Sequence, residues 1–220
     1  GMDASLPTVL LVEDNKDLGN LLKLQLEDRY NIYLAANGVE GLKKVHLYHP
    51  DIVVTDQMMP EMSGTEMLQR IRQDFQISHI PVILLTAKND DEAKTKAISM
   101  GANAYITKPF SKEYLLARID QLLSERLLFR ERIRLQMENQ KTTEEDSYEQ
   151  YLVKKDVQFL EKIHQVIEEN MDDSDFNIDT IASGIGLSRS AFFKKLKSLT
   201  GMAPVDLVKE IRLNKSVELI

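Results

Sequence analysis

DIVVTDQMMPEMSG, residues 51–64, is the stretch from which the fold follows. Ile52, Val53 and Val54 form an unbroken apolar run, the pattern of a strand buried on both faces of a parallel sheet. The run closes on a carboxylate, Asp56, and Ser63-Gly64-Thr65-Glu66 then has the spacing of a capping box opening a helix. The same hand-over repeats on either side. Val9-Leu10-Leu11-Val12 and Val82-Ile83-Leu84-Leu85 are further apolar runs; Ile32 to Ala35 and Ala104 to Thr107 are weaker strand candidates. Asn37-Gly38-Val39-Glu40 offers another cap, and amphipathic segments of helix length lie between the runs. Five alternations predict an α/β fold: a doubly wound (βα)5 parallel sheet with helices on both faces.

From Ser111 the pattern is helical, with Leu115, Leu116, Ile119, Leu122 and Leu123 on one face, and it is predicted to continue to about Gln136. KTTEEDSYEQ, residues 141–150, lacks apolar periodicity and reads as a linker. Val157, Leu160, Ile163, Val166 and Ile167 then recur at helical spacing up to Asn170, and Asp172 to Asp175 break the chain. A short helix is expected from Ile178, a turn at Gly186, a helix from Ser188, and a last one opened by Pro204 and running to Ile220. The predicted organisation is a first domain over 4–124, a helical extension and linker over 125–155, and a second, smaller all-α domain over 156–220.

The chain's 43% hydrophobic and 29% charged residues are those of an ordinary globular protein. No stretch approaches the roughly 18 uncharged apolar residues of a spanning helix, so no membrane contact is expected. No basic region followed by an apolar core opens the sequence, so no secretory signal is expected, and Gly1 ahead of Met2 reads as an added residue. With no cysteine, disulfides, thiolate zinc sites and cysteine nucleophiles are excluded, and a cytoplasmic location is expected. The net charge of −7 conceals a gradient. Residues 1–124 carry −4 (13 basic against 17 acidic), 125–176 carry −6 (8 against 14), and 177–220 carry +3 (7 against 4). The basic segment is the last one.

Functional groups of parallel α/β sheets gather beyond the carboxyl ends of the strands. Here those ends carry Glu13 and Asp14, then Asp56, Thr86 and Lys108. Three carboxylates so close require a cation, and hard oxygen ligands with open water positions suit Mg2+. Asp56 is then placed to attack a phosphoryl group, with Lys108 neutralising its oxygens and Thr86 donating a hydrogen bond. Taken singly, Asp56 reads as a turn or capping residue and Lys108-Pro109 as uninformative; their convergence at separate strand ends carries the reading. A phosphatase with an aspartyl nucleophile needs a second acid two residues on, where Met58 stands.

VLLVEDN (9–15), DIVVTDQMMPEMSG (51–64), IPVILLTAK (80–88) and GANAYITKPF (101–110) resemble the segments of response-regulator receiver domains. The resemblance implies strand order 2-1-3-4-5 and transfer of phosphate to Asp56 from a histidine kinase. It implies magnesium on Asp14, Asp56 and the Met58 carbonyl, with Glu13 acting through water. Thr86 and Tyr105 would form the switch, and Pro109 would follow a cis peptide that aims Lys108 into the pocket. A partner surface comprising Tyr105, Lys112 and residues 90–100 is expected to form a homodimer on phosphorylation. Because Met58 offers no polar side chain to hold a water, the phosphoryl group is expected to be long-lived. Lys88 occupies the position two beyond Thr86.

In NIDTIASGIGLSRSAFFKKLKSLT, residues 177–200, Ile178, Ile181, Ala182 and Ile185 form an apolar face, and Gly186 and Ser188 supply a turn and a cap. The second helix buries Phe192, Leu196 and Leu199 and exposes Arg189, Ser190, Phe193, Lys194 and Lys197. That fits a helix entering a major groove, although core hairpins and solvated basic faces share the pattern. IASGIGLSRSAFFKKLKSLTGMAPVDLVKEIRLNKSVELI resembles the DNA-binding domain of the AraC family, covering its first helix-turn-helix and the start of its central helix. The resemblance assigns base contacts to Arg189, Ser190, Phe193 and Lys194, although the family commonly has a polar residue where Phe193 stands. The family uses two such units, so a chain ending within the central helix is expected to bind DNA weakly. Similar pairs of domains close hybrid sensors, in which kinase and regulator share one chain. The expected function is a two-component regulator with a DNA-binding output; the alternative is a phosphorelay module whose helical end makes protein contacts.

Overall fold

The computed structural model describes residues 3–87, 95, 97–139, 154–170 and 177–210. The chain divides into two compact units, Gly1–Ser124 and Glu125–Ile220. Lys88, residues 90–94 and 96 of the expected partner surface, the linker over 141–150, the break at 172–175 and the end of the last helix lie outside the described residues.

The first unit contains β1 (Thr8–Val12), α1 (Lys16–Leu26), β2 (Asn31–Ala35), α2 (Gly38–Tyr48), β3 (Ile52–Asp56), α3 (Gly64–Gln73), β4 (Val82–Thr86) and β5 (Ala104–Thr107). Helix α4 (Lys112–Asn139) begins in this unit and runs three residues beyond the expected Gln136. All strand pairs are parallel and the order is β2-β1-β3-β4-β5, as expected. Successive residues of a strand face opposite sides, which is why the central strands are apolar throughout. Val9, Leu11, Ile52 and Val54 pack on one side against Leu22 and Leu26 of α1 and Leu115 and Ile119 of α4. Leu10, Val12, Val53 and Leu84 pack on the other against Val45 of α2 and Met67 and Leu68 of α3. Each such burial stabilises by about 1.5–3 kcal/mol before the entropy of ordering is set against it.

The Asn37 cap forms where expected, accepting from the Glu40 amide, and the Asn15 side chain caps α1 by accepting from the Asp17 and Leu18 amides. Ser63 and Glu66 complete a reciprocal capping box.

The second unit contains α5 (Lys154–Glu169), α6 (Ile178–Ile185) and α7 (Arg189–Thr200), and residues 204–210 are helical. Gly186, at φ 78°, caps α6 in the left-handed region, and the Ser188 hydroxyl accepts from the Ala191 amide at the start of α7. Ile181, Ala182, Ile185, Phe192, Leu196 and Leu199 are buried as expected. Helix α5 departs from its expected face. Phe159 is fully buried together with Ile163 and Ile167, and Asp156 joins them, whereas Val157 and Leu160 are only half-buried. The buried stripe is turned toward Asp156 because that carboxylate has a partner in α7. Within this unit Arg126 donates to the Ser198 hydroxyl, and Arg130 donates to the Ser198 carbonyl at 2.6 Å. Two cations thus meet the C-terminal turn of α7, where the helix dipole favours them.

Candidate functional site

The strand ends of the first unit bring together four of the predicted groups. Carboxylate oxygens of Glu13, Asp14 and Asp56 lie within 4.8 Å of one another. The Lys108 ammonium donates to Asp56 Oδ2 at 2.5 Å and to Glu13 Oε2 at 2.9 Å. Glu13 is sunk in the pocket floor with 4% of its side chain exposed, against 14% for Asp56 and 23% for Lys108. Asp14 is exposed at the rim.

Local structure fixes each group. The Met58 amide donates to Asp56 Oδ1 at 3.1 Å, orienting the carboxylate. Thr55 Oγ1 donates to the Asp56 carbonyl at 3.0 Å. A Cβ on Gly64 would stand 2.1 Å from that carbonyl oxygen, so only glycine lets α3 start this close to Asp56. The Lys108 amide donates to the Thr86 carbonyl at 2.6 Å, joining the last two strands just below the pocket. The Lys108-Pro109 peptide is cis, as the resemblance implied. Thr86 is 1% exposed at the end of β4, and Tyr105 is half-buried against the α2–α3 side of the core. The Met58 side chain is 70% exposed and adds no polar group to the pocket.

Burial pushes the Glu13 carboxyl above its ordinary value; Lys108 pulls it back in part, and the charge on Asp56 raises it again. Burial alone would lower the Lys108 ammonium, but its hydrogen bonds to Asp56 and Glu13 outweigh that and hold it above the ordinary lysine value. One ammonium thus faces three carboxylates, an excess of negative charge that a hard divalent cation fits by its oxygen donors.

In the second unit Arg189, Ser190, Phe193, Lys194 and Lys197 are all exposed on one face of α7. Arg189 pairs with Asp179 at 3.0 Å, both well exposed, a contact worth little and easily exchanged. The sequence reading missed Lys195 and Asp156, which are buried against each other; only the phase of the apolar stripe on α5 hinted at them. Among the described residues no helix is long and apolar enough to cross a membrane.

Among protein families, residues 9–120 match the response regulator receiver domain. The chain is 34% identical over 215 residues to histidine kinase P4 of Formosa agariphila, a match covering 97% of this chain and 15% of that protein. It is 43% identical over 118 residues to hybrid signal transduction histidine kinase D of Dictyostelium discoideum, covering 54% of this chain and 8% of that protein. The response regulator ArlR of Staphylococcus aureus is 38% identical over 116 residues, 52% of each chain. The receiver domain of the Francisella response regulator 1452 superposes with a TM-score of 0.52 at 32% identity, over 54% of this chain and 98% of that one. The chain therefore spans about half or less of the length of these full-length relatives. With its fold, strand order and acidic pocket in agreement, the chain belongs to the response regulator receiver domain family, the signalling modules of two-component systems.

Proposed function

We propose that Asp56 accepts a phosphoryl group from a histidine kinase and that the second unit converts this event into DNA binding. The observation that carries the first half is the Lys108 ammonium held on Asp56 beside Glu13 and Asp14. An Asp56 oxygen bonds to phosphorus as the bond from phosphorus to the kinase's histidine nitrogen breaks, that nitrogen keeping the electron pair. Lys108 moves from carboxylate to phosphoryl oxygen, and the Thr86 hydroxyl donates to another. Asp14, Asp56 and the Met58 carbonyl would hold a magnesium ion, with Glu13 acting through water, and the ion when bound would neutralise the clustered negative charge. Tyr105 turns inward as Thr86 turns to the phosphoryl group. Nothing at Met58 orients an attacking water, so the phosphoryl group persists well beyond seconds.

The exposed Ile98 and Tyr114 support a dimer surface near Tyr105 and Lys112, used on phosphorylation. The match to histidine kinase P4 runs across both units, which supports a kinase in the same native chain as the donor. The basic face of α7, in a segment of charge +3, supports an AraC-type helix-turn-helix reading DNA through Arg189, Ser190, Phe193 and Lys194. The test is labelling by a small phosphodonor with Mg2+, followed by size measurement. Wild type takes label and Asp56→Asn does not; equal labelling of the two would remove Asp56 from the role.

A further inference from the structure

Lys195 lies on the inner face of α7 with 0% of its side chain exposed, and its ammonium donates to Asp156 Oδ1 of α5 at 2.8 Å. Asp156 is itself 2% exposed. The ammonium stands 5.1 Å from the centre of the Phe159 ring, and Phe159 packs against Phe192 of α7 with ring centres 6.0 Å apart. The rest of that inner face is Ala191, Phe192, Leu196, Leu199 and Thr200, whose hydroxyl donates to the Leu196 carbonyl of its own helix; the contacts it makes to other helices through the first four are apolar. Such apolar contacts are non-directional and tolerate small rotations and slides. The ion pair has a direction and holds α7 at mid-helix, apart from the Arg126 and Arg130 hydrogen bonds to Ser198 at its C-terminal turn.

An apolar pair of similar volume would hold two helices together as well or better, because desolvating two charges commonly costs more than their attraction returns. Stability therefore does not explain Lys195 and Asp156. Fixing the rotation of α7 does. Its opposite face carries Arg189, Ser190, Phe193, Lys194 and Lys197. Side-chain tips lie roughly 5–6 Å from a helix axis, so a turn of about 30° displaces them by about 3 Å, as much as a whole hydrogen bond.

We propose that the buried Lys195–Asp156 pair sets the rotation of α7 and thereby decides which base edges its exposed face can read. Lys195 is a positioning residue for sequence discrimination, acting from the buried side. This deepens, and rests on, the reading of α7 as a DNA-contacting helix.

The chain has no cysteine, so spin labels go only where cysteines are introduced. Labels at Lys194→Cys on α7 and Glu161→Cys on α5 report the rotation directly. The parent chain gives one narrow distance. Adding Asp156→Leu with Lys195→Met leaves the thermal midpoint within a few degrees and broadens or splits that distance; an unchanged narrow distance overturns the proposal. Asp156→Asn with Lys195→Gln keeps a directional bond without charge and restores the narrow distance; failure to do so in a folded chain also counts against it. Unlabelled chains carrying the same substitutions, phosphorylated, are then given a pool of random-sequence duplexes. The apolar pair binds the pool with the parental salt dependence but enriches particular sequences at least tenfold less, and equal enrichment refutes the link to discrimination. A parent chain that retains no duplex removes the DNA reading by itself, while the distances still decide the rotation.

Discussion

Of the lysines that meet carboxylates among the described residues, Lys108 and Lys195 differ most in what surrounds the pair. Lys108 faces Glu13, Asp14 and Asp56 at an open strand edge, one cation against three anions. Lys195 faces Asp156 in a closed core, both side chains almost fully buried. The first arrangement carries surplus negative charge and water access, the setting in which the proposed cation and phosphoryl group would be received. The second is sealed from water, so its service is to the architecture. Charge balance and exposure separate a site from a brace more sharply than the presence of an ion pair.

The largest effect comes from breaking the sealed pair on one side. Lys195→Met leaves a buried carboxylate without its cation and should cost about 3–5 kcal/mol in urea unfolding followed by circular dichroism. Restoring stability by adding Asp156→Leu confirms that the loss was the orphaned charge. If Lys195→Met proved harmless, Asp156 would not be buried as an ion, and the comparison would collapse.

The open site should respond to a ligand instead. Magnesium at ten times its dissociation constant should raise the stability of wild type by about 1.4 kcal/mol, and Asp14→Asn should abolish most of that gain. Lys108→Met, with magnesium present, should change stability by only about 1 kcal/mol or less, because its surroundings are partly solvated. Stability that tracks Lys108 as steeply as Lys195 would show that the two are the same kind of contact.

The same contrast explains what the sequence disclosed. The strands announced themselves because both faces of the sheet are covered, leaving uninterrupted apolar runs such as Val82 to Leu85. The pocket was legible because Asp56 and Lys108 sit where those runs stop, so chemistry and punctuation coincide in the chain. Lys195 was not legible. Its neighbours Lys194 and Lys197 are exposed, and a lysine among lysines reads as solvated surface; only the partner 39 residues away reverses that. Asp156 hid for the same reason, and with it the true buried stripe of α5 through Phe159. Helical period fixes a face only as well as its residues can be sorted into apolar and polar, and a buried ion pair defeats the sorting.

Between the two lysine cases stands a carboxylate satisfied by a neutral donor. Tyr30, 3% exposed, donates its hydroxyl to Asp120 on α4, which also pairs with Arg29 at 3.2 Å on the solvent side. Burial first, then the hydrogen bond to Asp120 and its charge, raise the tyrosine above its ordinary value of 10.0. The folded chain thus favours the protonated hydroxyl. The stability that preference contributes is complete below about pH 10 and is lost as pH rises through the higher folded value. Tyr30→Phe should cost about 0.5–1 kcal/mol at pH 7, the net worth of one such bond. Urea midpoints for the variant and the parent should converge as pH is taken above 10. Midpoints that stayed a constant distance apart would mean that the hydroxyl contributes by packing alone, and that Asp120, unlike Asp156 and Asp56, takes its satisfaction from Arg29 and water.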